Sequence, residues 1–440
     1  MASALLESLL DREALERAAG PGEPEWLAAA RRTAAQSLAR EGLPGPRSEA
    51  WKYTSLRALE QRKPSVGDAG AMTRAIDAAL FDLPGIDGAR LVFVNGQLRK
   101  DLSRFAEQSG LSVSTLATTD PDQLECWRAA LARERTDDGS AFARLNTALA
   151  TDGPVIRVAA HAHVKTPVHL VFIGAASEHE IAWHARALIE VGEGASLRLI
   201  EHHLGLASPS ASQIGNLFAN HVLDRGARLD VVQIQDAAPG ATLFRRSECA
   251  LSHDATLATH TLEIGAQMTR HDIDVNLCGD GARFVSRGVF VLRGRQHADT
   301  HMDVRHIARN TTSDVLWRGV ADERARGVFH GAITVAAGAD GADANLSNKN
   351  LLLSPNAEID TQPVLEIYAD EVKAAHGATV GQLDEQAMFY LRSRGLSPDA
   401  ARHLLIAAFC SAALSELQPI TLREHLGAML TARLPRAEAT

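Results

Sequence analysis

Apolar side chains follow two different periods along the chain. Up to about residue 150, leucine and alanine recur at helical spacing, as in LLESLLDREALERA and EWLAAARRTAAQSLAREG. From about Pro154 the pattern changes to an alternation of apolar and polar residues, as in RLDVVQIQ and HDIDVNL, which is typical of half-buried strands. The helical period returns after LEIYADEV. The sequence therefore predicts a mainly β protein with helical ends.

Turn-like tetrapeptides punctuate the β region at short intervals. GASL at 194 and similar tetrapeptides at 226, 240, 254, 265 and 281 are each followed by a strand-like run. Many short strands with almost no intervening helix favour a β-solenoid, with a sandwich or barrel as the alternative. We therefore expect a mainly helical domain at 1–152, a β core at 153–366 and a helical domain at 367–440.

Local signals place several elements within this frame. In RLVFVNGQL, Asn95 and Gly96 predict a hairpin turn after a short strand. Near the end, Ser397 predicts a helix N-cap. Thr421 and Glu424 predict a capping box for the last helix.

Charge and hydropathy exclude two classes of partner. The net charge is −9 and no run of five basic residues occurs, so we expect no nucleic-acid partner. No stretch approaches the ~20 apolar residues of a membrane helix, and the first residues lack the charged lead-in of a signal peptide. We therefore expect a cytoplasmic protein that does not enter a membrane.

Cysteine and histidine residues are the candidate metal ligands of the chain. The cysteines are scattered without a C-x-x-C pair, so we expect buried, apolar side chains rather than a zinc site or disulfides. Fifteen of the eighteen histidines lie between residues 161 and 330. His161 and His163 lack a nearby glutamate to complete a ligand set. The cysteines are Cys126, Cys249, Cys278 and Cys410. A second possible metal group consists of His297, Asp299, His301, Asp303 and His306. For this group the preferred interpretation is a solvated strand face.

Catalytic signatures do not occur in the sequence, but one histidine stands out. There is no nucleophile elbow, phosphate loop or dinucleotide fingerprint, so a nucleotide-driven step would need an ATPase from a partner. His376 lies in AAHGATVG, which has too little bulk to pack a core, and Gly377 would let another backbone approach closely. These residues predict either an interface histidine or one that is merely hydrogen-bonded at a domain junction.

Two longer segments resemble a known family. NKNLLLSPNAEIDTQPVLEIYADEVKAAHGATVGQLDEQAMFYLRSRGLS resembles the C-terminal signature of SufD-type members of the SufB/SufD family of iron-sulfur cluster assembly proteins, and RSEAWKYTSL resembles the family's W-K-Y-T motif. The resemblance implies a right-handed parallel β-helix flanked by helical domains. It also implies a non-catalytic scaffold that binds no cofactor stably, pairs with a SufB-like subunit through the β-helix and docks a SufC-like ATPase on its C-terminal helices.

The same resemblance assigns roles to His376 and Gly377. It implies that both lie at the SufB-like interface, where His376 is a transient ligand during assembly of an iron-sulfur cluster. Related proteins often have K-C-S before H-G-A, whereas this chain has Lys373, Ala374 and Ala375, so a thiolate would have to come from the partner.

Two other interpretations remain open. One is an independent β-helix enzyme that acts on carbohydrate, with its chemistry near residues 297–306. The other is a SufB-type subunit or a self-paired homodimer. Because no cysteine lies between Cys278 and Cys410, where a SufB-type subunit would need one, the SufD type is favoured.

Overall fold

The computed structural model describes residues 3–20, 22–45, 47–67, 73–135, 140–175, 179–206 and 212–434. The helices are α1 (Ala4–Leu9), α2 (Arg12–Ala18), α3 (Glu25–Glu41), α4 (Arg57–Glu60), α5 (Pro121–Leu124), α6 (Arg128–Leu131), α7 (Ala141–Leu149), α8 (Glu385–Ser393), α9 (Pro398–Ser411) and α10 (Ile420–Arg433). The strands are β1 (Ser65–Val66), β2 (Arg90–Val94), β3 (Gln97–Leu98), β4 (Leu111–Thr115), β5 (Pro154–Val158), β6 (Val168–Gly174), β7 (Ile181–Val191), β8 (Ser196–Gly205), β9 (Gln213–Leu223), β10 (Arg228–Asp236), β11 (Ala241–Leu251), β12 (Thr256–Glu263), β13 (Met268–Leu277), β14 (Arg283–Leu292), β15 (His297–His306), β16 (Thr312–Ala321), β17 (Arg326–Val335), β18 (Asp343–Leu352), β19 (Glu358–Ile367) and β20 (Lys373–Gly381).

The strands from β5 onward form a β-solenoid of two sheets. Successive strands alternate between the sheets, and each pairs in parallel with the strand two positions later. Sheet A has the order β19-β17-β15-β13-β11-β9-β7-β5-β4, and sheet B has the order β20-β18-β16-β14-β12-β10-β8-β6-β2-β3. The predicted mainly β fold with a solenoid and helical ends is therefore confirmed.

Left-handed residues at one corner of the solenoid explain the recurring turns. Gly194, Gly226, Asp254 and Gly281 have φ angles between 55° and 73°. Each donates its backbone N–H to a carbonyl at the next corner, as Gly194 does to Arg225 at 2.8 Å. Glycine adopts this conformation without steric cost, which is why it dominates these positions. The turns predicted at these positions are thus confirmed.

The space between the sheets, which we call the lumen, is filled by the inward-facing half of each strand. Apolar residues from successive coils form one continuous cluster there. Its largest members are fully buried aromatic side chains: Phe172, Phe284, Phe290, Trp317 and Phe329. Burying each such ring contributes roughly 1.5–3 kcal/mol relative to exposure, so stacking coils stabilises the whole array.

The two outer faces are covered by different parts of the chain. Helices α9 and α10 pack apolar side chains such as Leu414 and Leu426 against the outer face of sheet B. The N-terminal helices pack against sheet A, where the Phe142 ring stacks on Phe244 with centroids 3.5 Å apart. The W-K-Y-T segment also packs on sheet A, where the Trp51 ring lies 3.9 Å from the Arg270 guanidinium of β13.

Several local predictions can be compared with these elements. The turn at Asn95 and Gly96 is confirmed, since both residues have positive φ between β2 and β3. The capping box at the last helix is wrong, because α10 begins at Ile420 after Pro419 and has no side-chain cap. Strands β1 to β4 precede residue 153 and β20 follows residue 366, yet β1, β2, β4 and β20 each pair with a solenoid strand, and β3 extends sheet B through β2. Among the described residues, no helix is long and apolar enough to cross a membrane.

Candidate functional site at the open end of the solenoid

The two ends of the solenoid differ in how their strands are covered. At the N-terminal end, sheet A finishes with the antiparallel strand β4 and sheet B with the antiparallel strand β3. At the C-terminal end, β19 pairs with β17 and β20 pairs with β18, and within the described residues neither has a second neighbour. Unpaired strand edges present backbone donors and acceptors that another chain can pair with. We call this C-terminal end of the solenoid the open end.

His376 lies on β20 at a position aligned with inward-facing residues of the neighbouring strands. It is the pairing partner of Leu346, which pairs in turn with Val315, and both of these side chains are fully buried in the lumen core. Residues paired in register on parallel strands share a face of the sheet. Ala374, two residues earlier on the same face, packs partly against that core, whereas His376 is exposed. The imidazole therefore stands at the mouth of the lumen.

Gly377 has open space around it within this chain. A Cβ atom added there would meet no heavy atom within 4 Å. Packing inside the chain thus gives no reason for glycine at this position. The close approach of another backbone, which the sequence suggests, stays a prediction.

A chain of side-chain amides lies one coil beneath the open end. Thr361 Oγ1 on β19 donates to Asn348 Oδ1 on β18 at 2.8 Å, which links the two sheets across the lumen. Asn350 donates one amide hydrogen to Asn348 Oδ1 at 2.5 Å and another to the Thr379 carbonyl of β20 at 3.1 Å. These bonds hold the strand that carries His376. This network is not predicted from the sequence, although N-K-N at 348–350 places two amides on one face of a strand and is the available signal.

Exposed apolar and acidic residues surround the open end. Tyr368 follows β19 and is 64% exposed, and Val380 lies on β20. Helix α8 has no buried residue, and its Phe389 is 73% exposed. Contiguous exposed apolar surface often marks a protein interface. The rim also carries the exposed acidic residues Glu366, Asp370 and Glu371.

The cysteines are not grouped at the open end. Cys249 and Cys410 are buried, as predicted, and burial raises the pKa of both thiols. The prediction is wrong for Cys126 and Cys278, which are exposed. No cysteine lies on β19 or β20, so a thiolate at the open end would have to come from another chain.

The second possible metal group does not form one site. His306 points into the lumen and bonds to Thr311 and Ser313, both at 2.8 Å. His297 instead contacts Thr54 Oγ1 at 2.8 Å. Among the described residues, no group of three or more histidine, cysteine, aspartate or glutamate side chains could hold a metal ion.

The strand face around Asp299 is covered rather than solvated. Asp299 is 1% exposed and accepts hydrogen bonds from Thr54 at 2.5 Å and from Arg270 at 2.8 Å. The Arg270 charge helps to hold the pKa of Asp299 below its usual range despite burial, which alone would raise it. The predicted solvated face is therefore wrong here, because the W-K-Y-T segment lies over it.

Comparisons with known proteins identify the family. The SufBD core domain of the SUF system for FeS cluster assembly matches residues 172–409, and the SufBD N-terminal region matches residues 16–170. The iron-sulfur cluster assembly protein SufD of Escherichia coli is 32% identical over 406 residues, which cover 91% of each chain. A SufBD family protein of Synechocystis is 29% identical over 93% of this chain and 92% of its own length. SufB of Bacillus subtilis is 26% identical over 63% of this chain and 59% of its own length. The chain belongs to the SufBD family of iron-sulfur cluster assembly proteins.

Proposed function

We propose that this chain is a non-catalytic scaffold subunit of a Suf cluster-assembly complex. In this proposal a SufB-like subunit pairs with the open end, and a SufC-like ATPase docks on the C-terminal helices. The observation that carries the proposal is the exposed His376 on an edge strand, at the mouth of a lumen that is otherwise closed by packed side chains. The iron-sulfur cluster is the cargo of this assembly and not a resident cofactor.

The difference between the two ends supports a particular pairing geometry. A second solenoid of the same topology would meet β19 and β20 with its own open end, because the opposite end finishes in antiparallel strands. Two related chains joined tail to tail about an approximate two-fold axis would bring their edge strands together in antiparallel orientation. Such pairing would extend both sheets across the interface and would bury Val380 and Tyr368.

The chemistry of His376 fits a shared, transient ligand set. A neutral imidazole binds iron through one ring nitrogen, whereas thiolates are the usual ligands of iron-sulfur clusters. This chain supplies the imidazole and, having no cysteine on β19 or β20, leaves the thiolates to the partner. A cluster held by two chains is released when an ATP-driven movement separates them.

The test of this role is a His376→Ala variant in the co-expressed complex. We expect the variant to keep the subunit composition but to lose most of the iron-sulfur absorbance, because the exposed imidazole contributes little to the fold. His253→Ala is the matched control, since His253 is also exposed but lies at a solenoid corner beside Asp254. Normal cluster formation by His376→Ala would refute this role.

ATPase docking is best tested on α8. Deleting α9 and α10 would uncover the apolar outer face of sheet B, so loss of binding after truncation would not be informative. The double variant Phe389→Ala and Tyr390→Ala removes two exposed rings from a helix without buried residues. We expect the double variant to bind the ATPase at least tenfold more weakly, as titration calorimetry with the purified chain would show. Its thermal stability, measured by scanning calorimetry, should be unchanged. Leu80→Ala, at an exposed apolar site of the N-terminal region, is the control. Unchanged ATPase affinity in the double variant would exclude α8 as the docking site.

The alternatives predict other outcomes. A self-paired homodimer would use the same open end, so native mass in the absence of partners distinguishes it from a heteromer. The carbohydrate enzyme would need an accessible acidic groove near residues 297–306. Asp299 is buried and bonded to Thr54 and Arg270, so its carboxylate is not accessible to a substrate.

A further inference from the structure

One group of four ionisable side chains lies together inside the lumen, among mostly apolar neighbours. Glu201 and His203 belong to β8, Arg245 to β11 and Glu263 to β12. Their side chains are between 1% and 4% exposed. We call them the lumen quartet. Because a buried charge is costly unless it is paired, the charge balance of this group matters to the whole core.

Arg245 is shared between the two carboxyl groups. Its Nη2 donates a short hydrogen bond to Glu263 Oε1, and its Nη1 lies 3.7 Å from Glu201 Oε1. Glu201 Oε1 also lies 2.7 Å from His203 Nε2. One guanidinium therefore faces two carboxyl groups.

The groups packed around the lumen quartet do not supply a second positive charge. Burial lowers the pKa of His203 and of His271, and it lowers the pKa of His221 to about 4, so these imidazoles are neutral at pH 7. Asp299 adds negative potential at Glu263. With both carboxyl groups ionised, two negative charges would face one positive charge in the described part of the lumen. The remaining neighbours are uncharged: Gln235 beside His203 and Glu263, Ser247 bonded to His271, Cys249 beside His221, and Thr269 beside Glu263.

The second oxygen of Glu263 is the place where a proton fits. Glu263 Oε2 and Thr269 Oγ1 are both buried without a hydrogen-bond partner among the described residues. An ionised carboxylate can only accept hydrogen bonds, whereas a carboxylic acid also donates one. A proton on Oε2 would give this oxygen a donor function next to the unpaired threonine hydroxyl. Glu201 differs, because its carboxylate already accepts from His203.

We propose that Glu263 carries a proton at neutral pH, which makes the lumen quartet a buried proton-binding site. Oε1 of the neutral acid still accepts from Arg245, and Arg245 and Glu201 then form a balanced pair. Burial and the charge of Asp299 raise the pKa of Glu263 against the opposing effects of Arg245 and of the Thr269 hydroxyl. Burial opposes ionisation of Glu201 too, but the hydrogen bond from His203 holds the pKa of Glu201 below its usual value. Folding therefore takes up one proton from water, and the associated stability is lost as pH rises above the ordinary glutamate pKa of about 4.3.

Infrared spectroscopy of the full chain tests this site. The protein is prepared with glutamate labelled with ¹³C at the side-chain carboxyl, next to an unlabelled sample, and both are measured at about pH 7. At that pH ordinary exposed carboxyl groups are ionised. We expect one C=O stretch of a protonated acid that shifts with the glutamate label. The band should vanish in Glu263→Gln, and it should vanish in Glu201→Gln as well, because Arg245 alone can then balance an ionised Glu263.

Two results would overturn the proposal. Absence of a label-sensitive acid band in the wild-type protein would show that both carboxyl groups are ionised, and this result does not depend on any variant folding. A band that persists in Glu263→Gln would place the proton on another glutamate. Neither result depends on cluster assembly or on a partner.

Discussion

At the scale of single residues, the lumen pairs glycines with aromatic rings on neighbouring strands. A Cβ atom at Gly288 would lie 2.3 Å from the Trp317 ring, and one at Gly319 would lie 2.3 Å from the Phe290 ring. The sequence does not reveal such pairs, because they depend on which residues become neighbours when the strands stack. The polar lumen residues were missed for the same reason. In an alternating strand, Glu201 looks like an outward-facing residue.

Gly288→Ala should therefore destabilise the fold. We expect a loss of about 1–3 kcal/mol of unfolding free energy, the usual cost of overpacking a core. Gly377→Ala is the matched control, because a Cβ there meets no atom within 4 Å, and it should change stability by less than about 0.5 kcal/mol. Chemical denaturation of both variants measures the difference. Equal losses would contradict the packing described for the lumen.

Asp274 should make stability depend on pH. Burial raises its pKa to about 6, aided by Asp272 and Glu248 and opposed by Arg246. Since the folded pKa lies above the ordinary aspartate pKa of about 3.9, this contribution to stability is present below about pH 4 and is lost as pH rises through about 6. Asp274→Asn should reduce the pH-dependent change in unfolding free energy by roughly 2–3 kcal/mol. Urea unfolding at several pH values measures this change. An Asp274→Asn profile that matches the wild-type profile would refute the assignment.

At the scale of elements, alternation predicted the central strands well but not β20. Its residues AAHGATVG are small and suggested a thin segment before a helix, yet they form a strand that pairs with β18. A strand at the open end is covered by only one neighbouring coil, so it needs fewer apolar residues. The alternation of apolar and polar residues is therefore weaker there. The helices were easier, because Ser397 caps α9 as predicted. The capping box at Thr421 failed because the helix begins at Ile420, two residues before the predicted start, directly after Pro419.

A proline on β20 tests whether its open edge forms the interface. The Lys373 N–H donates to Ala342 in the direction of β18. Because successive residues of a strand direct their N–H groups to opposite sides, the N–H of Ala378 points to the open side. Ala378→Pro should leave the isolated chain folded and abolish association with the SufB-like subunit. Ala378→Gly keeps the N–H and should still associate, as analytical ultracentrifugation would show. Normal association of the proline variant would rule out edge pairing by β20.

At the scale of the whole molecule, each surface of the solenoid has a different cover. N-terminal helices pack on sheet A, and α9 and α10 pack on sheet B. The C-terminal end is left with two edge strands, exposed apolar residues and His376. The three regions were predictable from periodicity and turns. The difference between the ends was not, because it depends on the direction in which β3 and β4 pair.

The most direct test of this account is the native mass and visible absorbance of the chain co-expressed with SufB-like and SufC-like partners. We predict a complex that contains all three subunits and gains iron-sulfur absorbance. Ala378→Pro should lose the complex, whereas His376→Ala should keep the complex and lose the absorbance. A chain that purifies without either partner, or a His376→Ala complex with full absorbance, would contradict the account.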